Sequence, residues 1–294
     1  MKDLFGNDDI EGMYQAALRV PLAEKVKIAL LTIRNYEKMA IERSADGFYE
    51  CFSGGKDSIV MDKLFQMSGV RFSRNYNNVT IDPPELVQFI KRQYADTIWH
   101  NPKQGSLPMH MREKSCGPPT RLSRWCCELY KEQGGRGLFK AIGVRADESA
   151  RRKGLWQTMT LHKSDLSPIL SPILSPILYW TEADVWQFIR ENNMPYCSLY
   201  DEGFKRLGCV GCPMGGAKGM ARDFARWPKY KALWKRGFAA YWAKYKGTPT
   251  KRVNKHGNNE RWIEKFSTVD GLWNWWVSGK AYEGDAPDCQ QWMW

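Results

Sequence analysis

The stretch GFYECFSGGKDSIVMDKLFQM, residues 47–67, changes character twice. GFYECF (47–52) is a short apolar run of the kind a buried strand makes, Ser53-Gly54-Gly55 is a turn, and KDSIVMDKLFQM (56–67) opens a helix. A strand, a glycine turn and a helix start aim several backbone N–H groups at one place, which makes a ready anion site. The glycines leave the main chain bare, so phosphate oxygens can approach it closely. Lys56 adds a point charge, and Asp57 and Ser58 can cap the helix or orient a metal-bound water. The spacing is not G-x-x-x-x-G-K-[ST], so this is not a Walker A loop.

Outward from this stretch, NVTID (78–82) reads as a second strand and PPELVQFIKRQY (83–94) as a helix with proline in its first turn. DTIWH (96–100) and LFKAIGV (138–144) are further strands. Strands alternating with helices predict an α/β fold, a parallel sheet with helices on both faces. Upstream, residues 22–44 place Leu22, Val26, Ala29, Ile33, Tyr36 and Ala40 on one helical face. SPILSPILSPIL (167–178) repeats a tetrapeptide three times, and prolines four apart argue against a regular helix or a central strand. Two copies are therefore expected as extra loop. The third leads into a helix opened by a capping box at Thr181 and Asp184.

The bulk properties narrow the function. The chain has 294 residues, 43% hydrophobic, enough for one sizeable domain and a smaller one. No run of 18 apolar residues occurs, and the first ten, MKDLFGNDDI, lack a secretory pattern, so a cytoplasmic protein with no membrane span is expected. Eight cysteines then read as reduced thiols or metal ligands rather than disulfides. Of the net charge of +12, residues 218–261 carry +11, with thirteen Lys or Arg against Asp223 and Glu260. That concentration suggests a polyanionic partner.

GVRADESARR (143–152) follows a strand, so its polar residues lie beyond the strand's carboxyl end, where open parallel sheets bind ligands. Arg145 and Arg152 can grip a phosphate bidentately, with Glu148 holding Arg145; a solvated charged turn is the plainer alternative. Cys126-Cys127 and Cys209-x-x-Cys212 form a second constellation, since a C-x-x-C turn presents two thiolates to one metal and an adjacent pair can complete four sulfur ligands. An iron–sulfur cluster, Zn²⁺ or ordinary thiols all fit, and Cys116 rivals Cys126 as a ligand. Arg121, Arg124 and Lys131 would offset a cluster's negative charge. Cys51 and Cys197 read as core residues, Cys289 has no partner at ligand spacing, and His162 reads as an edge-strand residue. Asp82, at the end of the second expected strand, can cap the helix that follows.

Taken in order, SGGKDSIVM, TIDPPELVQFI, PPTRLSRWCCELYK, GVRADESARRK, PILYWTEADVW and LYDEGFKRLGCVGCP make roughly residues 47–217 resemble the phosphoadenosine-phosphosulfate reductase family, especially its DndC-like branch linked to DNA phosphorothioation. That family lies in the adenine-nucleotide hydrolase, or PP-loop, superfamily. The resemblance implies a PP-loop fold of HUP/Rossmann-like type and an enzyme that binds ATP with Mg²⁺ and splits it between the α and β phosphates. It implies nucleotide contacts from Ser53, Gly54, Gly55, Lys56, Asp57, Ser58, Asp82, Arg145, Glu148, Ser149 and Arg152. Lys56, Asp57, Arg145 and Cys127 are the implied catalytic residues, and Cys126, Cys127, Cys209 and Cys212 the implied ligands of a [4Fe–4S] cluster. The expected chemistry is adenylation of an acceptor followed by sulfur transfer, with DNA or tRNA as acceptor and a protein such as a cysteine desulfurase as donor. A sulfonucleotide reductase making sulfite is the second reading. It is opposed by the intact Ser53–Lys56 turn and by a C-terminus, PDCQQWMW, without the Glu-Cys-Gly-Leu-His context of those enzymes. A non-catalytic nucleotide- and DNA-binding module is the third.

Three segments are expected: an N-terminal helical one (1–46), the nucleotide-binding domain with its cysteines (47–217), and a basic, Trp-rich, mainly helical region (218–294). In the last, aromatics from Phe224 to Tyr245 recur at steps of three or four and should face a core. Lys229, Lys231, Lys235, Arg236, Lys244 and Lys246 are left for nucleic-acid phosphates. WNWW (273–276) can stack on bases or pack inward.

Overall fold

β1 (Phe48–Cys51) lies inside a six-stranded sheet and delivers the chain into the glycine turn. A computed structural model describes residues 10–148, 157–163, 170–249 and 261–280. The chain divides into two compact units that interleave along the sequence. The first comprises residues up to 77, 84–100 and 134–207; the second comprises 78–83, 101–133 and 208 onward.

The first unit holds helices α1 (Ile10–Leu18), α2 (Leu22–Asn35) and α3 (Glu37–Arg43), then β1, α4 (Lys56–Ser68), β2 (Phe72–Asn77), α5 (Pro84–Gln93), β3 (Ile98–His100), β4 (Lys140–Ala141), β5 (Met159–Lys163), β6 (Leu170–Leu174) and α6 (Glu182–Glu191). The sheet order is β3-β2-β1-β4-β6-β5, parallel throughout except for β5, which runs antiparallel to β6 at the edge. This is the α/β architecture expected from the alternation of strands and helices. Phe48 of β1 packs between Phe65 of α4 and Phe139, with ring centroids 5.1 and 5.0 Å away. Each of these fully buried rings contributes on the order of 2–3 kcal/mol of apolar burial. α2 buries Leu22, Ala29 and Ile33, and the buried Lys25 reaches Asp184 at 2.6 Å. Asp184 also completes the capping box with Thr181, so one carboxylate starts α6 and anchors α2. The single helix expected over 22–44 breaks at Tyr36.

Two expectations change. The second strand is FSRNYN, one segment upstream of NVTID. At 78–80 the Asn78 side chain accepts from Thr80 N–H at 2.8 Å, and Thr80 sits at φ 68°, a local turn that ends the strand. The real strand was masked by its polar residues: Arg74 is buried because Asp62 and Asp96 pair with it. The second SPIL copy is a strand after all, β6, flanked by β4 and β5. Pro172 is tolerated because β4 has two residues and its first, Lys140, pairs with Ile173. The N–H that proline lacks therefore falls beyond the end of β4. His162 lies in the edge strand β5.

The second unit holds α7 (Gly216–Arg226), α8 (Pro228–Tyr245) and α9 (Val269–Ser278). The aromatic stripe faces inward as its spacing predicts: Phe224, Trp227, Trp234, Phe238, Tyr241 and Tyr245 are buried. Trp273 and Trp276 of the WNWW run join this core, and Trp276 donates its indole N–H to the Pro119 carbonyl at 2.7 Å. No helix among the described residues is long and apolar enough to cross a membrane.

Candidate functional site

In the first unit, Gly54 takes φ +71°, a left-handed conformation that favours glycine, and turns the chain from β1 toward α4. A Cβ on Gly54 would meet Ile90 Cγ1 at 2.6 Å, so this glycine also lets α5 pack against the turn. Gly55 is different. Its backbone is extended, and a Cβ there would meet Ser53 Oγ and the Tyr200 hydroxyl at 3.5 Å. The two serines brace the turn: Ser58 Oγ accepts from Ser53 N–H at 3.3 Å and donates to the Gly55 carbonyl at 2.9 Å. The α4 backbone then begins at Lys56 with its first N–H groups directed at this turn.

A cavity of about 170 Å³ lies here, lined by Ser53, Gly55, Lys56, Asp57 and Ser58 from the turn, Gly143, Val144 and Glu148 from the arginine loop, Tyr200, Arg206 and Leu207 from a third segment, and Cys51. Asp57 is the electrostatic hub. Its Oδ1 accepts from Arg145 Nε at 2.6 Å and its Oδ2 from Lys56 Nζ at 3.3 Å. Lys56 and Arg145 are both nearly fully buried, so the shared carboxylate offsets the cost of holding two cations away from water. Arg145 finds its second carboxylate in Asp147 at 3.3 Å, where the sequence suggested Glu148. Lys56 Nζ also donates to the Lys205 carbonyl at 3.3 Å.

Sequence reasoning missed three members. Gly143 backs against the start of α4, where a Cβ would press on the Asp57 carbonyl at 2.9 Å. Tyr200 accepts from Lys56 N–H at 2.8 Å, and burial raises its phenol so that it stays protonated. Arg206 lines the cavity without a carboxylate partner among the described residues. None was singled out as a site residue, although Gly143 opens the GVRADESARR motif and Tyr200 and Arg206 belong to the LYDEGFKRLGC stretch. Cys51, expected in the core, is half-buried and lines the cavity, and burial pushes its thiol up to about 11. Ser149 and Arg152 lie outside the described residues.

Asp82 belongs to the second unit, where it is buried and its backbone carbonyl accepts from the Tyr230 hydroxyl at 2.9 Å. In the same unit Cys126 and Cys127, in the short helix Trp125–Cys127, feel the charges of Cys209 and Cys212. The hydrogen bond from Cys126, helped by Lys131 and Arg124, brings Cys127 down to about 5, and burial pushes Cys209 up to about 12. Arg124 donates to Cys127 Sγ at 3.4 Å, and the charges of Cys209 and Asp82 raise Lys131. Two soft pairs of sulfur donors backed by cations suit an anionic metal–sulfur group. Among the described residues, no three of these thiols close into a metal-ligand set. Cys116 is buried elsewhere in this unit, where its charge acts on Tyr241.

On the basic helix α8 and at its C-terminal cap, half of the predicted phosphate ligands pair with carboxylates of the chain itself. Lys244 pairs with Glu113 at 2.6 Å, Lys246 with Glu264 at 2.9 Å, and Lys235 with Asp270 at 3.4 Å. Lys229, Lys231 and Arg236 are exposed.

Residues 49–214 match the family model for the phosphoadenosine phosphosulfate reductase domain. An uncharacterized protein of Methanocaldococcus jannaschii is 28% identical over 275 residues, covering 83% of this chain and 50% of its own length. The chain thus spans about half the length of that curated relative. The adenosine 5′-phosphosulfate reductase of Oceanobacillus iheyensis is 29% identical over 180 residues, covering 57% of this chain and 71% of its own. Among solved structures, Candida glabrata FMN adenylyltransferase in complex with FAD and inorganic pyrophosphate superposes with a TM-score of 0.46 and 14% identity, over 68% of this chain and 71% of that one.

Proposed function

The chain belongs to the phosphoadenosine phosphosulfate reductase domain family, and from that premise we propose that it is a cytoplasmic ATP-splitting enzyme that adenylates an acceptor and supports sulfur transfer to nucleic acid. The observation that carries this reading is the intact Ser53–Ser58 turn with Lys56 and Arg145 gathered on Asp57 beside the cavity. The turn binds the β and γ phosphates, and Ser53, Ser58 and Asp57 would hold a Mg²⁺-bound triphosphate. An acceptor oxygen attacks the α phosphorus, the bond to the bridging oxygen breaks, and pyrophosphate leaves with its new charge on the turn's N–H groups and Lys56. A sulfur nucleophile then displaces AMP from the adenylated acceptor. Cys126, Cys127, Cys209 and Cys212 would hold a [4Fe–4S] cluster, which supplies soft sulfur-binding and redox chemistry when present; Zn²⁺ is the alternative occupant. Lys229, Lys231 and Arg236 offer charges for a DNA or tRNA backbone, and a cysteine desulfurase is a suitable sulfur donor.

The test is pyrophosphate release from ATP by anaerobically purified protein, with DNA, with tRNA and with neither. Release that depends on Lys56 and rises with one nucleic acid supports the proposal. The relatives named as adenosine 5′-phosphosulfate reductases favour a second reading, reduction of a sulfonucleotide to sulfite. Sulfite production from adenylylsulfate with no pyrophosphate release from ATP would replace the first reading with the second.

A further inference from the structure

The geometry points to Tyr200 and Arg206 as the outer wall of the phosphate cradle, taking the terminal phosphoryl group of a nucleoside triphosphate; this rests on the ATP reading above. Tyr200 closes the turn Ser198–Tyr200, and its ring is set edge-on against Trp186, with centroids 5.2 Å apart and planes at 87°. That packing fixes where the hydroxyl points. The phenol oxygen accepts from Lys56 N–H at 2.8 Å, which uses one of its lone pairs. Its own proton has no acceptor among the described residues, and the side chain lines the cavity. An O–H oriented by a backbone N–H and facing a phosphate-sized space is a donor awaiting an anionic oxygen.

Charge points the same way. Lys56 is shared with Asp57 and the Lys205 carbonyl, so the turn's own lysine is already partly compensated. Arg206 pairs with no carboxylate among the described residues, and its planar fork suits two oxygens of one phosphoryl group. The cavity, at about 170 Å³, is smaller than the roughly 300–1,000 Å³ typical of whole small-molecule sites. It therefore suits the polyphosphate end of a nucleotide. Tyr200 and Arg206 thus favour a triphosphate over a nucleotide with a shorter anionic tail.

The experiment is calorimetric titration of the full chain with ATP and with AMP, each with Mg²⁺, for wild type, Tyr200→Phe and Arg206→Gln. Tyr200→Phe keeps the ring packing and Arg206 is exposed, so both variants should fold, which thermal melting verifies. Each variant is expected to bind ATP about 10- to 100-fold more weakly, the range for a hydrogen bond to a charged group, and AMP as well as wild type does. Unchanged or tighter ATP binding by both variants, or an equal loss for AMP, overturns the assignment and leaves the ATP reading standing. No ATP binding by the wild-type chain overturns the ATP reading and this inference with it.

Discussion

Replacing Gly54 with alanine tests whether the two glycines of the turn have different duties. The substitution forces a Cβ into φ +71°, which costs an L-residue about 1–2 kcal/mol. The new methyl also sits 2.6 and 2.8 Å from Ile90 Cγ1 and Cδ1 and 2.9 Å from Leu86 Cδ1. Both side chains are almost wholly buried, so neither can swing aside. Overpacking of this kind costs about 1–3 kcal/mol. The sum, about 2–5 kcal/mol, corresponds to a fall in melting temperature of roughly 4–20 °C at about 2–4 °C per kcal/mol. Gly55→Ala is the control: with an extended backbone and contacts no closer than 3.5 Å, it should melt within about 2 °C of wild type while still crowding the phosphate cavity. Thermal melts of the three proteins, followed by circular dichroism, decide the matter. A Gly54→Ala protein that melts with the wild type would refute the packing argument.

Three further outcomes are expected. Burial and the neighbouring Asp62 charge raise the Glu50 carboxyl well above its ordinary value, so the folded chain holds that proton more tightly than the unfolded chain does. The stability it contributes is complete below about pH 4.5 and is lost as pH rises toward the folded-state value, so Glu50→Gln should gain on wild type as pH rises above about 4.5 in urea melts; a gap that is constant with pH would contradict this. Anaerobically purified protein should carry iron and sulfide that Cys209→Ser largely removes and Cys116→Ser retains, measured by metal analysis, because the charges of Cys127, Cys209 and Cys212 all act on Cys126. Replacing Lys229, Lys231 and Arg236 with glutamine should flatten the salt dependence of nucleic-acid binding by about 0.9 log units per lost phosphate contact on a duplex. Replacing Lys244 and Lys246, which are already paired with Glu113 and Glu264, should change that slope far less.

Local chemistry was readable from the residues alone. The strand–turn–helix at 47–67, the capping box at Thr181 and the inward aromatic stripe of α8 each depend on neighbours a few positions apart, so periodicity and spacing determine them. What the tertiary structure decided depends on partners far along the chain. β2 was hidden because the polar Arg74 is strand-compatible once Asp62 and Asp96 neutralise it. The SPIL copy became β6 because β4 is too short to need the N–H that Pro172 lacks. Arg145 found Asp57, 88 residues away, and Lys56 N–H found Tyr200, 144 residues away. Half of the basic face was neutralised by acids that are distant in sequence, as Lys244 and Glu113 show. Spacing along a chain reports which groups share a turn or a face, whereas ion pairing and desolvation depend on which segments the fold brings together.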